Sequence, residues 1–165
     1  MRIPSIKRST LATIPALSMF LLFQACGSGG NADADQPAAP DPVVGVWEGV
    51  VHIRDCTTQA EITNFVGAQV FHQGGTMSDT NNSPTASRGP GWGTWSRNGD
   101  TYTAKFRFFT YDATGAKSGA MRVTRTFTLS ADGNTATATS ANQQEDVNGV
   151  VTRRGCSADA NTKAL

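Results

Sequence analysis

The stretch WGTWSRNGDTYTAKFRFFTYD, residues 92 to 112, has the pattern of two β-strands joined by a tight turn. Large or β-branched side chains alternate with small or charged ones on both sides of Asn98-Gly99. Asn-Gly tolerates the positive φ angles that a two-residue turn requires, so it is among the strongest local signals for a β-hairpin. The stretch therefore predicts an antiparallel pair of strands.

The same pattern continues to the C-terminus. Asp132-Gly133 and Asn148-Gly149 each separate two β-rich runs, and DATG, residues 112 to 115, joins two more. Little after residue 42 has a helical period, so the chain lacks the crossover helices that a parallel sheet requires. The sequence predicts an all-β domain in which successive strands form an antiparallel meander.

The first half of this domain is less regular. The runs GVWEGVVHIR, residues 45 to 54, and FVGAQVFH, residues 65 to 72, predict two strands, and TMSD, residues 76 to 79, predicts a short third. TNNSPTASRGPG, residues 80 to 91, is polar and rich in Gly, Pro and Asn, so we expect a flexible loop. The predicted total is about eight strands.

Alternation along each strand produces one apolar face and one polar face. Phe106 and Phe108, for example, lie opposite Lys105 and Arg107. Without helices, the sheet must cover its own apolar face, either by closing into a barrel or by forming a two-sheet sandwich. The uninterrupted meander favours a single up-and-down barrel, because sandwiches usually need long Greek-key connections. A β-sandwich is the alternative.

The N-terminus has the features of a secretory leader. Three basic residues are followed by the apolar stretch LATIPALSMFLLF, residues 11 to 23, which is too short to span a membrane. The leader and the cysteine that follows resemble a bacterial lipoprotein signal. This resemblance implies a signal peptide over residues 1–25, a lipid on Cys26 and, because Gly27 is not acidic, an outer-membrane location facing the periplasm or the exterior. Plain secretion with cleavage near Ala25 is the alternative.

Residues 26–42 carry the lipid attachment site and then a segment with no large apolar side chain, which predicts a disordered tether. The barrel domain is assigned to residues 43–165. Three of the 14 basic residues lie in the leader, which leaves 11 basic against 13 acidic residues in the mature chain. This small, mixed balance argues against nucleic acid as a partner. The lipoprotein resemblance implies the membrane as a partner, reached through the lipid.

Cys56 and Cys156 remain as one pair in a chain predicted to be exported, where a disulfide is the expected state. The first and last strands of a closed barrel are neighbours, but with eight strands they end at opposite rims. A disulfide requires Cα atoms within about 7 Å of each other. We therefore expect Cys156 to lie inside a long last strand, residues 150 to 162. Two free thiols are the alternative, and neither cysteine has the close spacing of a zinc site.

Gly45-Val46-Trp47, at the start of the first strand, resembles the Gly-x-Trp signature of lipocalins and related calycins. Those proteins are eight-stranded barrels that hold small apolar ligands. The resemblance implies that Trp47 plugs the closed end of the barrel, often beneath an arginine. The segments FHQGGT, TYTAKFRFF and VTRTFTLSADG and the late Gly155-Cys156 are also similar to small exported bacterial proteins of unknown function.

Arg125 is the most informative polar residue, because it lies between Val123 and Phe127 on an apolar strand face. A buried arginine needs a partner. We expect either a cation–π contact with the ring of Trp47 or an ion pair with a ligand carboxylate. The candidate ligand-pocket residues are Trp47, Trp95, Phe106, Phe108, Arg125 and Phe127. Four small inward residues, Gly45, Gly49, Gly67 and Ala104, leave space in the barrel, and the loop of residues 80 to 91 is expected at its mouth.

The predicted function is a lipid-anchored envelope protein that binds a small apolar or amphipathic ligand. One alternative is a non-catalytic interaction module that uses a threonine-rich outer face, formed by Thr124, Thr126, Thr128, Thr135, Thr137 and Thr139. Another is an isomerase or hydrolase that uses His72 or Arg125. No catalytic motif, metal-ligand spacing or phosphate-binding loop stands out, so no catalytic residue, metal or cofactor is assigned. His52 is expected on the outer face.

Overall fold

The computed structural model describes residues 39–83 and 87–164. The predicted signal peptide 1–25, the lipid site Cys26 and the tether as far as residue 38 lie outside the described residues. In the part of the chain that is described, no helix is long and apolar enough to cross a membrane.

Eight antiparallel strands form one closed barrel in which each strand pairs with the next and the last pairs with the first. The up-and-down barrel predicted from the turn pattern is confirmed, and the sandwich is not formed. The strands are β1 (Gly45–Arg54), β2 (Glu61–Phe71), β3 (Thr76–Asn81), β4 (Arg88–Asn98), β5 (Thr101–Tyr111), β6 (Lys117–Leu129), β7 (Thr135–Glu145) and β8 (Val151–Lys163).

The predicted flexible loop at residues 80 to 91 is wrong at both ends, because β3 extends to Asn81 and β4 begins at Arg88. The register of β4 against β5 shifts between Arg88 and Gly91, which accommodates Pro90, a residue without an N–H for the ladder. The side chain of Arg88 bonds to Asp79 on β3. This contact ties the two strands together at a place where the sequence has no alternating pattern.

The seam of the barrel is the pairing of β1 with β8, which runs from Trp47 opposite Lys163 to Arg54 opposite Cys156. The predicted disulfide is confirmed: Cys56 and Cys156 are bonded, with their Cα atoms 5.2 Å apart. Cys156 lies within β8 and Cys56 follows the end of β1, as the geometric argument required. The disulfide therefore joins the first and last strands at one rim.

The opposite rim is closed by aromatic side chains and by the segment before β1. Val43 is fully buried, and its carbonyl accepts a hydrogen bond of 2.7 Å from Trp47 Nε1. The Tyr102 hydroxyl donates to Asp41 at 2.7 Å, and burial together with this bond raises the pKa of Tyr102 to about 12. Five side chains form what we call the closed-end cluster: Trp47, Phe71, Trp95, Tyr102 and Phe127.

Replacing both cysteines, Cys56→Ser with Cys156→Ser, is expected to lower the free energy of unfolding by at most about 4–5 kcal/mol, because the bridge closes a loop of roughly 100 residues in the unfolded chain. Urea unfolding followed by circular dichroism measures the change. As a control, a reducing agent should lower the wild-type midpoint and leave that of the double variant unchanged. Equal midpoints for the oxidised wild type and the variant would show that the bridge does not stabilise the barrel.

Candidate functional site

The half of the barrel away from the closed-end cluster contains a cavity of about 280 Å³. Its apolar lining comes mainly from strands β1, β5 and β6. The principal apolar residues are Val51, Ile53, Phe106, Phe108, Met121 and Val123.

The polar part of the lining includes the inward positions of β7 and β8, which carry short polar side chains at this level. Ser140 and Asn142 come from β7, and Ser157, Asp159 and Asn161 come from β8. These two strands lie between the apolar strands β6 and β1 in the closed sheet. The cavity is therefore amphipathic, with a polar strip beside apolar walls.

Arg125 lies at the inner end of the cavity, with its side chain 2% exposed. Its Nη2 and Nε donate to the two carboxylate oxygens of Asp159, and its Nη1 donates to Gln69 Oε1 at 2.8 Å. The guanidinium also lies 4.6 Å from the ring centroid of Phe127. The buried charge is thus paired and hydrogen-bonded, as its location requires.

Trp47 is not the cation–π partner of Arg125 that the sequence led us to consider. The cation over the Trp47 ring is Lys163, whose Nζ lies 5.7 Å from the ring centroid. Arg125 instead finds its charge partner on β8, where Asp159 shares the inward face with Ser157 and Asn161. The counterion comes from β8, which contributes only polar side chains to the cavity lining.

A second buried ion pair joins Asp79 on β3 to Arg88 at the start of β4, and both side chains are less than 10% exposed. The Arg88 guanidinium lies 3.7 Å from the ring centroid of Phe108. Gln69 connects the two ion pairs, since its Nε2 lies 3.4 Å from Asp79 Oδ2 while its Oε1 accepts from Arg125. We call the connected series Arg88, Asp79, Gln69, Arg125 and Asp159 the buried polar chain.

Burial raises the pKa of the Asp79 carboxyl group in the buried polar chain, and the nearby guanidinium of Arg88 opposes that rise. Each arginine of the chain forms an ion pair with one carboxylate, so the two ion pairs together have no net charge.

The structure separates the six predicted pocket residues into two groups. Phe106, Phe108 and Arg125 line the cavity, whereas Trp47, Trp95 and Phe127 belong to the closed-end cluster. Alternation along a strand predicts which side chains point inward, but it does not say how far each one lies from the rim. Residues from two different layers of the barrel interior were therefore predicted to form one pocket.

Of the small inward residues, Gly67 lines the cavity and Gly49 does not. A Cβ on Gly49 would lie 2.1 Å from Asn161 Oδ1, so this glycine permits a close approach of β8 rather than leaving empty space.

Sequence reasoning missed Gln69, Asp79, Arg88 and Asp159. Arg125 could have indicated Asp159, because a buried arginine requires a carboxylate partner. Asp159 alternates with Ser157 and Asn161 on the inward face of β8. Asp79 and Arg88 had no comparable signal, since they lie beside the irregular segment that interrupts the alternation.

The two histidines of the chain lie outside the cavity. His52 Nδ1 lies 2.7 Å from Glu61 Oε2 on the outer face, and His72 is exposed, with Nε2 3.2 Å from Ser78 Oγ. Of the two residues named for the enzymatic alternative, His72 is exposed and lies outside the cavity, whereas Arg125 is buried and lines it. Within residues 39–83 and 87–164, no cluster of three or more His, Cys, Asp and Glu side chains could hold a metal ion.

No family model matches the chain, and no curated protein matches it. Among solved structures, the chain is similar to the crystal structure of Rv2717c from M. tuberculosis, with a TM-score of 0.39 and 14% sequence identity. That similarity covers 74% of this chain and 94% of the other.

Asp159→Asn is expected to lower the free energy of unfolding by about 3–5 kcal/mol, because it leaves the charge of Arg125 buried beside neutral partners. Replacing both members, Arg125→Leu with Asp159→Leu, should cost less than the single change, because no uncompensated charge remains. Urea unfolding of the three proteins measures both values. A single variant that is as stable as the wild type would mean that Arg125 does not depend on this ion pair.

Proposed function

We propose that this protein is a lipid-anchored protein of the bacterial cell envelope whose calycin-like barrel binds a small amphipathic molecule. The observation that carries the proposal is the cavity, whose lining combines apolar side chains of β1, β5 and β6 with polar side chains of β7 and β8. Ligand sites commonly combine an apolar lining with a few fixed polar groups that set the orientation of the ligand.

The division of the interior into two halves supports this function. Eight-stranded barrels are wide enough either to be filled by side chains or to hold one small ligand. Here the closed end is filled by large aromatic residues, while the other half contains about 280 Å³ of space. Because this volume is at the lower limit of known ligand pockets, we expect a small ligand rather than a large cofactor.

Binding can be tested with N-phenylnaphthylamine, a neutral probe that fluoresces when it leaves water. The wild type should bind it saturably, and Val123→Trp should weaken binding about tenfold or more, because the indole would occupy the cavity. Thr124→Trp, one residue along β6 on the exposed outer face, is the matched control and should bind like the wild type. Equal binding by Val123→Trp and the wild type would place the probe elsewhere and contradict the proposal, as would the absence of binding to the wild type.

Lipid attachment at Cys26 is tested separately in the bacterial host. Labelled palmitate should be incorporated into the wild type and not into Cys26→Ser, and only the wild type should fractionate with membranes. A barrel-surface variant such as Thr124→Ser serves as the labelling control. Equal membrane association of Cys26→Ser would remove the lipid anchor from the proposal and leave the ligand-binding barrel.

The second candidate function is a non-catalytic interaction module of the envelope. Thr126 pairs with Thr139, and Thr128 pairs with Thr137, so four exposed threonines adjoin one another on the outer face of β6 and β7. Native mass spectrometry of the protein purified from its host distinguishes the two candidates. A small molecule retained with the barrel supports the ligand-binding function, whereas a protein partner retained with an empty barrel supports the interaction module.

A further inference from the structure

Arg88 is a buried cation whose hydrogen-bonding capacity is incompletely used. Its side chain is 8% exposed, and its Nη2 donates to Asp79. Its Nε and Nη1 have no hydrogen-bond partner among the described residues, whereas Nε, Nη1 and Nη2 of Arg125 all have one. Leaving a buried donor unpaired is unfavourable, so these two donors favour an acceptor supplied from outside the protein.

Arg88 lies in the wall of the cavity. It lines the cavity together with Phe108, Met121 and Val123, close to the connection between β3 and β4, and its Nε and Nη1 are buried in that wall. Its guanidinium is fixed by the ion pair with Asp79 and by the ring of Phe108 at 3.7 Å. A ligand that packs against Arg88 therefore meets a guanidinium whose position is already set, and it loses little free energy in ordering it.

The charge balance of the cavity indicates which kind of acceptor fits. The charged residues that line the cavity are Arg88, Arg125, Asp79 and Asp159, and each arginine already has a carboxylate partner. A ligand carboxylate would add a buried negative charge that no further cation among the described lining residues balances. A neutral oxygen acceptor would satisfy the donors of Arg88 without that cost.

We infer that the ligand is a small uncharged amphipathic molecule whose carbonyl or similar oxygen accepts hydrogen bonds from Arg88 while its apolar part lies along Phe108, Met121 and Val123. This inference rests on the proposed ligand-binding function and specifies the chemical class of the ligand. Arg88 is the residue that selects the neutral polar group, and the apolar wall contributes affinity that does not depend on that group.

Octanamide and octanoate test this specificity because they have the same chain length and nearly the same shape but differ in charge. Each is titrated against bound N-phenylnaphthylamine, with nonane as the compound that lacks an acceptor. For the wild type, octanamide should displace the probe at about tenfold lower concentration than octanoate, because the carboxylate would bring a buried charge that no further cation balances. Nonane serves as the reference for the effect of each variant on a compound without an acceptor.

Arg88→Met should weaken octanamide about tenfold relative to nonane, compared with the wild type, while probe binding persists. Because this change leaves Asp79 buried without its cation, the double variant Arg88→Met with Asp79→Leu provides a second protein that lacks both charges. Lys105→Met removes an exposed cation from the neighbouring strand β5 and is the matched control, which should retain the wild-type preference.

The outcomes separate the inference from the function on which it rests. If N-phenylnaphthylamine binds the wild type but octanoate displaces it as well as or better than octanamide, the ligand class is wrong and the cavity still binds small molecules. If both Arg88 variants weaken octanamide no more than nonane, Arg88 is not the selecting residue. If neither the probe nor any of the three compounds binds, the proposed function itself fails.

Discussion

The pairing of β1 with β8 is the constraint on which the other features of this protein depend. The described part of the chain contains no helix, so the apolar face of its sheet is covered only because the sheet closes on itself. Closure brings Asp159 on β8 to the interior beside Val51 on β1 and places Cys156 within reach of Cys56. The cavity exists only inside this closed sheet, and the disulfide joins the two strands whose separation would open it.

Inside the barrel, Arg125 marks the boundary between two environments. The closed-end cluster on one side is filled by aromatic rings, including Phe127, which the guanidinium contacts. On the other side lies the cavity, whose polar groups are connected through Gln69 into the buried polar chain. Two ion pairs that share one amide restrict each other's orientation, and this coupling fixes the polar groups that a ligand would meet.

Most of the fold followed from local patterns, and most of the site did not. Turn pairs such as Asn98-Gly99 and the alternating runs between them predicted the strands, because the positive φ of the turn and the period of two are local properties. Phe106, Phe108 and Arg125 were correctly expected to face the interior and do line the cavity. Trp47, Trp95 and Phe127 face inward as well, but they lie in a different layer, which no periodicity within one strand reveals.

The sequence by itself determined that this chain forms a meander, that the sheet needs closure and that Cys156 must lie inside the last strand if it is to reach Cys56. Only the tertiary structure decided that Arg125 pairs with Asp159 rather than Trp47, and that two donors of the buried Arg88 have no partner among the described residues. The physical reason is that closure and hairpin formation follow from the period and the turns of consecutive residues. Ion pairing inside a barrel depends instead on the register and tilt of strands far apart in the chain.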